Sequence, residues 1–431
     1  MSRRPVTQLL LAALAAGSVP AVGARAQSLA QRVERAPEGS VQFQYAAREG
    51  VCGNGRGFIS VGGSIYVNDG SWNSETIREQ CRNGPVVVLL DRAAGAVIDV
   101  DTYVGGAPAD RRAGTDLGTV SPREASAYLL ALAARAEGRP GRAAILPAVL
   151  ADSADPTPGL LAVARDRDRP RETRRSALSW LGRVAESPAA ATRAAESLAG
   201  VARDAEDQMP VRQQALSTLG RLEHGAGIPL LIQLARPQAE DSWLAREALD
   251  ALARSGDPRA RELLRSMVAK ADAPEAQLVV AVRGLAREYA TPRDAQLLRE
   301  VYPRLQGERA RQSVLQSIAE LGGSANARWL LEMALRTDER QQLRRQALNG
   351  AARAGVPAAE LVRLWDRADQ SLKELLLAQY AESGERVAVD RLMAIAKGDE
   401  DRQLRRRAVQ YLSRSDDPRV KALLAELAGE R

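Results

Sequence analysis

The chain has 431 residues, with 61 Lys and Arg against 54 Asp and Glu, one histidine and two cysteines. A formal charge of +7 spread over that length is a weak basis for nucleic-acid binding. One histidine and two cysteines are too few ligands for a His- or Cys-built metal centre.

The first 26 residues read as a leader rather than as part of a fold. Arg3 and Arg4 give a positive start, Val6 to Ala16 is a short apolar stretch, Gly17 and Pro20 break it, and Ala24-Arg25-Ala26 is an A-x-A cleavage pattern. The apolar stretch falls short of the roughly 20 residues that span a bilayer. The expectation is a signal peptide over 1–26, cleaved near Ala26, and a periplasmic or secreted product starting near Gln27. Without Arg3, Arg4 and Arg25 the excess of basic residues falls from seven to four. No later segment is long and apolar enough to span a membrane. In an exported chain, the local pair Cys52 and Cys81 reads as a disulfide. Closing a loop of about 30 residues stabilises by roughly 3–4 kcal/mol in the loop-entropy model.

Residues 27–120 are expected to form a small β-rich domain with its linker. Residues 27–38 are a polar lead-in. Val41 to Tyr45 alternates strictly between apolar and polar, as a strand with one buried face does. Phe58–Val61 and Ser64–Val67 flank Gly62-Gly63, a hairpin signal; Val86–Leu90 and Ala96–Val100, joined by residues 91–95, form a second. Residues 107–121, with Pro108, Gly114 and Gly118, read as the connection onward.

From Ser121 the pattern is helical. Residues 121–157 are expected to form the N-terminal helical cap of a solenoid, beginning with Ser121-Pro122, an N-cap followed by proline in the first turn. A second helix there is expected over Ala143 to Ala151, interrupted by Pro147. Over 158–431 a two-helix motif recurs. Its second helix reads Arg-x-x-Ala-Leu at Arg174 to Leu178, Arg212 to Leu216 and Arg344 to Leu348. The alanine register falls at Ala177, Ala215, Ala248, Ala281, Val314, Ala347, Leu376 and Ala408, in steps of 29 to 38 residues, four of them 33. A near-constant step in this range marks a stacked solenoid, in which no repeat can bury its apolar stripe alone. Several first helices open on Asp257-Pro258, Thr291-Pro292 or Asp417-Pro418, a cap followed by a proline whose missing N–H costs nothing.

The Asp-Pro turns, the acidic residue before the second helix (Asp207, Asp338, Asp401), the arginine after it (Arg212, Arg344, Arg405) and the Ala-Leu core resemble HEAT repeats of the short bacterial type related to phycobilisome-lyase repeats. The resemblance implies a mainly α chain, an α-α superhelix preceded by the disulfide-closed β-rich domain. It also implies a protein-binding scaffold whose second helices line the concave side.

Little in the chain resembles a catalytic site. His224 stands alone beside Glu223, so neither the paired His-Glu motifs of di-iron HEAT enzymes nor a triad with a Gly-x-Ser-x-Gly elbow is present. Gly53-Asn-Gly-Arg-Gly57 lacks the Lys-Ser/Thr of a phosphate loop and reads as a tight turn. No catalytic, cofactor-binding or metal-binding residue is expected.

Two rows of arginines remain. Arg174, Arg212, Arg311, Arg344 and Arg405 sit three residues before the register, in the unfavourable first turn of a helix, and are expected to clamp inter-repeat carboxylates and turn carbonyls. Arg183, Arg221, Arg254, Arg287, Arg353 and Arg414 lie six residues after it, where Glu320 and Glu382 stand in the other two repeats. This second row shares a polar helix face with residues such as Ser179, Gln213, Ser217 and Asp250. One reading is helix-end stabilisation by the macrodipole, about 0.3–1 kcal/mol each. The other is a groove for an acidic protein partner or an anionic envelope polymer. The sequence supports an exported, non-catalytic scaffold; the alternative is a cell-envelope enzyme with its site at the junction of the β domain and the solenoid.

Overall fold

The computed structural model describes residues 27–429, apart from 56, 63, 68–72, 107–113, 186 and 237–241. The signal peptide expected over 1–26 lies outside the described residues. The chain divides into two compact units. One runs to Tyr128 and includes Leu150–Ser153; the other comprises Leu129–Val149 and Ala154–Arg431.

The first unit is built on a four-stranded sheet. Its strands are β1 (Gly39–Tyr45), β5 (Val86–Ala93), β6 (Ala96–Val104) and β7 (Thr115–Thr119), in the order β6-β5-β1-β7. A second sheet, β2-β3-β4, is made of Val51–Gly53, Phe58–Val61 and Ser64–Val67. Alternation in β1 buries Val41, Phe43 and Tyr45 on one face, as the pattern requires. In β5, Val86 to Leu90 are all buried, so this strand is covered on both faces.

Three local features are not apparent from the sequence pattern. The polar lead-in contains a helix, Leu29–Arg35, started by a capping box of Ser28 and Gln31 and anchored by buried Leu29 and Val33. Arg92 holds its far end, donating to the Ala36 and Glu34 carbonyls. The β5–β6 hairpin is longer than expected because only two residues turn it: Ala94 and Gly95 both adopt positive φ, +50° and +76°, which matches the twist of the flanking strands. The connection after residue 113 is itself a strand, β7, parallel to β1.

Cys52 and Cys81 are disulfide-bonded, with Cα atoms 5.3 Å apart, and tie β2 to the end of helix Ser74–Gln80. Beside them, Asn54 accepts from the N–H groups of Gly57 and Phe58 at 2.8 and 3.2 Å. The turn is closed on itself, and those two donors do not point at a ligand. The single helix expected over Ala143 to Ala151 is instead two short ones, Gly138–Ala143 and Ile145–Val149. Ala151 pairs in a β-bridge with Ala47, and Asp152 donates to the Ala46 carbonyl at 3.0 Å. That pairing takes residues 150–153 out of the helix.

The second unit is a helical solenoid. Its second helices are Arg171–Val184, Met209–Leu219, Ser242–Ser255, Glu275–Leu285, Glu308–Leu321, Gln341–Arg353, Gln370–Ser383 and Arg402–Leu412, each packed on the next. The first helices include Pro188–Arg203, Pro258–Lys270, Pro292–Val301 and Ser324–Leu335. The register residues Ala177, Ala215, Ala248, Ala281, Val314, Ala347, Leu376 and Ala408 are all buried. A side chain no larger than leucine there lets neighbouring helices approach closely. Asp257 and Asp417 cap as expected, accepting from Arg259 N at 2.8 Å and Arg419 N at 2.9 Å.

Breaking the cystine gives a direct test of what holds the first unit. A Cys52→Ser/Cys81→Ser variant is expected to lose about 3–4 kcal/mol of that unit's stability. Denaturant unfolding of the two forms, with peptide mapping of the unreduced parent, measures it. Superimposable curves would show that the loop is held without the bond.

Candidate functional site on the second helices

The first arginine row faces inward. The Arg174 side chain is 1% exposed and its guanidinium is fully used: Nε donates to the Ala164 carbonyl at 2.9 Å, and Nη1 and Nη2 donate to the two oxygens of Asp207 at 2.7 and 2.5 Å. The same construction recurs down the unit. Arg344 donates through Nε to the Ala334 carbonyl at 2.9 Å and through Nη1 to Asp369. Arg311 takes the Leu305 carbonyl at 2.8 Å and both oxygens of Glu339 at 3.1 Å. Arg212 takes the Ala202 carbonyl at 3.0 Å and lies 4.6 Å from the centre of the Trp243 ring. Arg405, in the last second helix, bonds to the carbonyls of Asp399 and Glu400.

Each such arginine thus closes the C-terminal end of its own first helix, and Arg174, Arg311 and Arg344 also reach a carboxylate in the following repeat. Asp207 serves the arginine of the repeat before it, so this tie runs between repeats. In the Val314 repeat the acceptor is Glu339, while the expected Asp338 pairs with Arg336. Asp401 caps its helix and accepts from Gln370.

Three repeats lack the motif arginine, having Ala245, Leu278 and Lys373 in its place. For the second of these, the replacement comes from elsewhere in the repeat and follows no periodic pattern. Arg261 and Arg265, from first helix Pro258–Lys270, converge on Asp294 at 2.6 and 2.7 Å, and Thr291 completes its shell. Asp294 is fully buried. Burial alone would raise its pKa, but hydrogen bonds from Arg265, Thr291 and Arg261 outweigh it and bring the value to about 2.

The second row behaves differently. Arg183, Arg221, Arg254, Arg287, Arg353 and Arg414 are all exposed. The guanidinium of Arg183 lies 5.4 Å from the centre of the Trp180 ring. Arg254 and Arg287 share Asp250, each at 2.9 Å. Arg221 meets no carboxylate among the described residues. Desolvation and the positive charges of Arg183 and Arg254 on either side lower its pKa. Three cations of successive repeats therefore sit close enough to repel one another. Asp250 partly neutralises the row at Arg254 and Arg287.

Further along, Glu320 and Glu382 interrupt the row. Arg353 lines a groove of about 840 Å³ with Arg345, Asn349 and Glu382. Arg414 lines another of about 480 Å³ with Leu392, Tyr411 and Glu382. His224 is exposed in a turn, at φ +56°. Among the described residues, no three His, Cys, Asp or Glu side chains gather in a metal-binding arrangement. No helix among them is long and apolar enough to cross a membrane.

Within the repeated helical pairs, residues 200–281 match the family model described as HEAT repeats. No curated protein matches the chain. Similar solved structures include human deoxyhypusine hydroxylase in complex with glycerol, 16% identical over 56% of this chain and 96% of that one, with a TM-score of 0.27. The complex of CpcE and CpcF of phycocyanin lyase from Nostoc sp. PCC7120 is 17% identical over 63% of this chain and 94% of that one, with a TM-score of 0.28. A structure from work on a phosphorylation switch that controls the interaction between cadherin and β-catenin is 14% identical over 71% of this chain and 60% of that one, with a TM-score of 0.24.

The buried ties make two predictions. Asp207→Ala leaves Arg174 charged and unpaired in the interior, which is expected to cost about 3–5 kcal/mol in denaturant unfolding; a loss under about 1 kcal/mol would mean that water reaches Arg174. Asp294 sets a pH window. Its folded pKa lies below the unfolded value, so its contribution, about 2 kcal/mol, is complete above about pH 4 and is lost as pH falls toward 2. The Asp294→Ala variant should lose that part of the acid dependence, as read by melting temperature against pH.

Proposed function

We propose that this protein is an exported, non-catalytic scaffold that holds an acidic protein partner along the second-helix face of its solenoid. The observation that carries the reading is the crowding of Arg183, Arg221 and Arg254, with no carboxylate at Arg221 among the described residues. Like charges held together without full internal compensation cost stability unless something else selects them. A bound carboxylate would relieve that repulsion at Arg221, between the cations of the two neighbouring repeats. The first row gives the contrast: there Arg174, Arg311 and Arg344 each have an acidic acceptor inside the fold.

A protein is favoured over a simple polyanion because the same face carries Gln213, Ser217 and Asp250. Neutral hydrogen-bonding groups and a carboxylate among the cations suit a surface of mixed polarity. Export rests on the leader-like residues 1–26 and on the cystine, since disulfides persist in oxidising compartments.

The test is an Arg183→Gln/Arg221→Gln/Arg254→Gln variant of the mature chain. Its melting temperature is expected to stay level or rise slightly, because repulsion is removed. Capture of acidic proteins from an envelope fraction should fall, and binding by the parent should weaken with salt as the Debye length shrinks from about 10 Å at 0.1 M to about 3 Å at 1 M. Undiminished capture by a folded variant would defeat the proposal. Retention of poly-glutamate but of no envelope protein would point to a polymer instead.

A further inference from the structure

The layer of first helices has a gap. Helix Ser324–Leu335 packs closely on its own second helix, Gln341–Arg353, and meets the end of the preceding first helix through Arg299–Asn326 and Tyr302–Trp329, but it does not pack closely on the first helix that follows. On its C-terminal side the reason is visible. The next first helix, Ala358–Arg363, has six residues against twelve. The chain then tightens into a 3-10 turn, Trp365–Arg367, that buries Trp365 beside Tyr380, with ring centres 6.2 Å apart. Since an α-helix advances about 1.5 Å per residue, six residues cover half the length of their neighbour. The result is a cleft of about 540 Å³ lined by part-exposed Leu335 and by the largely buried Leu331 and Leu364.

The rim of this cleft is basic. Arg328 and Arg336 come from one wall, and Arg363 and Arg367 from the other, against Glu332 and Glu360. Arg336 is paired with Asp338 at 2.5 Å. Arg328, Arg363 and Arg367 are exposed and make no ion pair within 4.0 Å among the described residues. Leucines below and unpaired guanidiniums above are the complement of a segment with apolar side chains on one face and carboxylates on its flanks.

We propose that this cleft docks an acidic amphipathic helix of a partner protein, lying where a full-length first helix would otherwise have packed. A polyanion without apolar groups fits less well, because it leaves the leucines uncovered and meets Glu332 and Glu360. The site lies on the first helices and shares no residue with the Arg183–Arg254 row, so either can fail alone.

The experiment uses the mature chain and a fluorescein-labelled peptide of about 14 residues, Leu and Glu only, with leucines at i, i+3, i+4 and i+7. The controls are a peptide of the same composition with that stripe broken, and poly-glutamate. The striped peptide should bind more tightly than both. Arg363→Glu/Arg367→Glu should weaken it about tenfold or more, Leu335→Gln should weaken it too, and Lys270→Gln, an exposed cation outside both sites, should leave it unchanged, with circular dichroism showing all variants folded. The proposal is overturned if the broken-stripe peptide and poly-glutamate bind as well, which would reduce the site to an anion patch. Insensitivity to Arg363→Glu/Arg367→Glu, or an equal loss on Lys270→Gln, would also sink it by placing the peptide elsewhere. Self-association of the parent that the Arg363→Glu/Arg367→Glu change abolishes would overturn it too, by making the occupant a second copy of this chain.

Discussion

Stacking of the repeats depends on a buried guanidinium tied forward to a carboxylate. Alanine and leucine supply most of the solenoid's contact surface, and such side chains specify position poorly because many packings of similar volume are tolerated. A two-pronged bond between Arg174 and Asp207 is less forgiving. With both groups shielded from water and the third guanidinium nitrogen fixed on the Ala164 carbonyl, a slip of one helix turn would strand a charge. Such a pair adds little net stability over an apolar replacement; its effect is to penalise the wrong register. Arg405 closes the series with carbonyl bonds in the final second helix of the stack.

The repeats were legible in the sequence because the register recurs in steps close to 33 and because the Arg-x-x-Ala-Leu motif carries its own chemistry. The direction of each tie was not. Inter-repeat carboxylates were expected for this row, but the motif did not say which acid serves which arginine: Asp207 answers the arginine 33 residues earlier. Sequence spacing does not rank a near carboxylate against one brought up by the next repeat. The convergence of Arg261 and Arg265 on Asp294 was hidden for a related reason: it uses the first helix, where the repeat shows no fixed arginine. The β unit was legible as hairpins from alternation and Gly62-Gly63. Its parallel strand β7 was not, since Thr115–Thr119 contains a glycine and too few apolar residues to read as buried.

The candidate site was half legible. The spacing of Arg183, Arg221 and Arg254 on one helix face followed from the register, but whether those charges were compensated did not. Asp250 was visible on the same face, and it takes both Arg254 and Arg287 because consecutive second helices pack side by side. Arg221 is left between two cations. Which member of a periodic row lacks an acid depends on side-chain reach across helices, and no periodicity encodes that.

The two rows are made of the same residue type at nearly the same spacing, and the difference between them is where the acceptor comes from. Arg174, Arg311 and Arg344 face inward and have carboxylates supplied by the fold, so their charge is spent on register. Arg221 faces outward between two like charges and has no carboxylate of its own among the described residues, so whatever approaches that face meets a field already in place. The first-helix cleft follows the same logic from an irregularity: beside a shortened helix at Ala358–Arg363, Leu335 is left part-exposed and Arg328, Arg363 and Arg367 have no ion pair among the described residues. A solenoid can tolerate that omission because each repeat leans mainly on its immediate neighbours. The close stacking of the second helices continues beneath the gap, and the first-helix layer is free to vary.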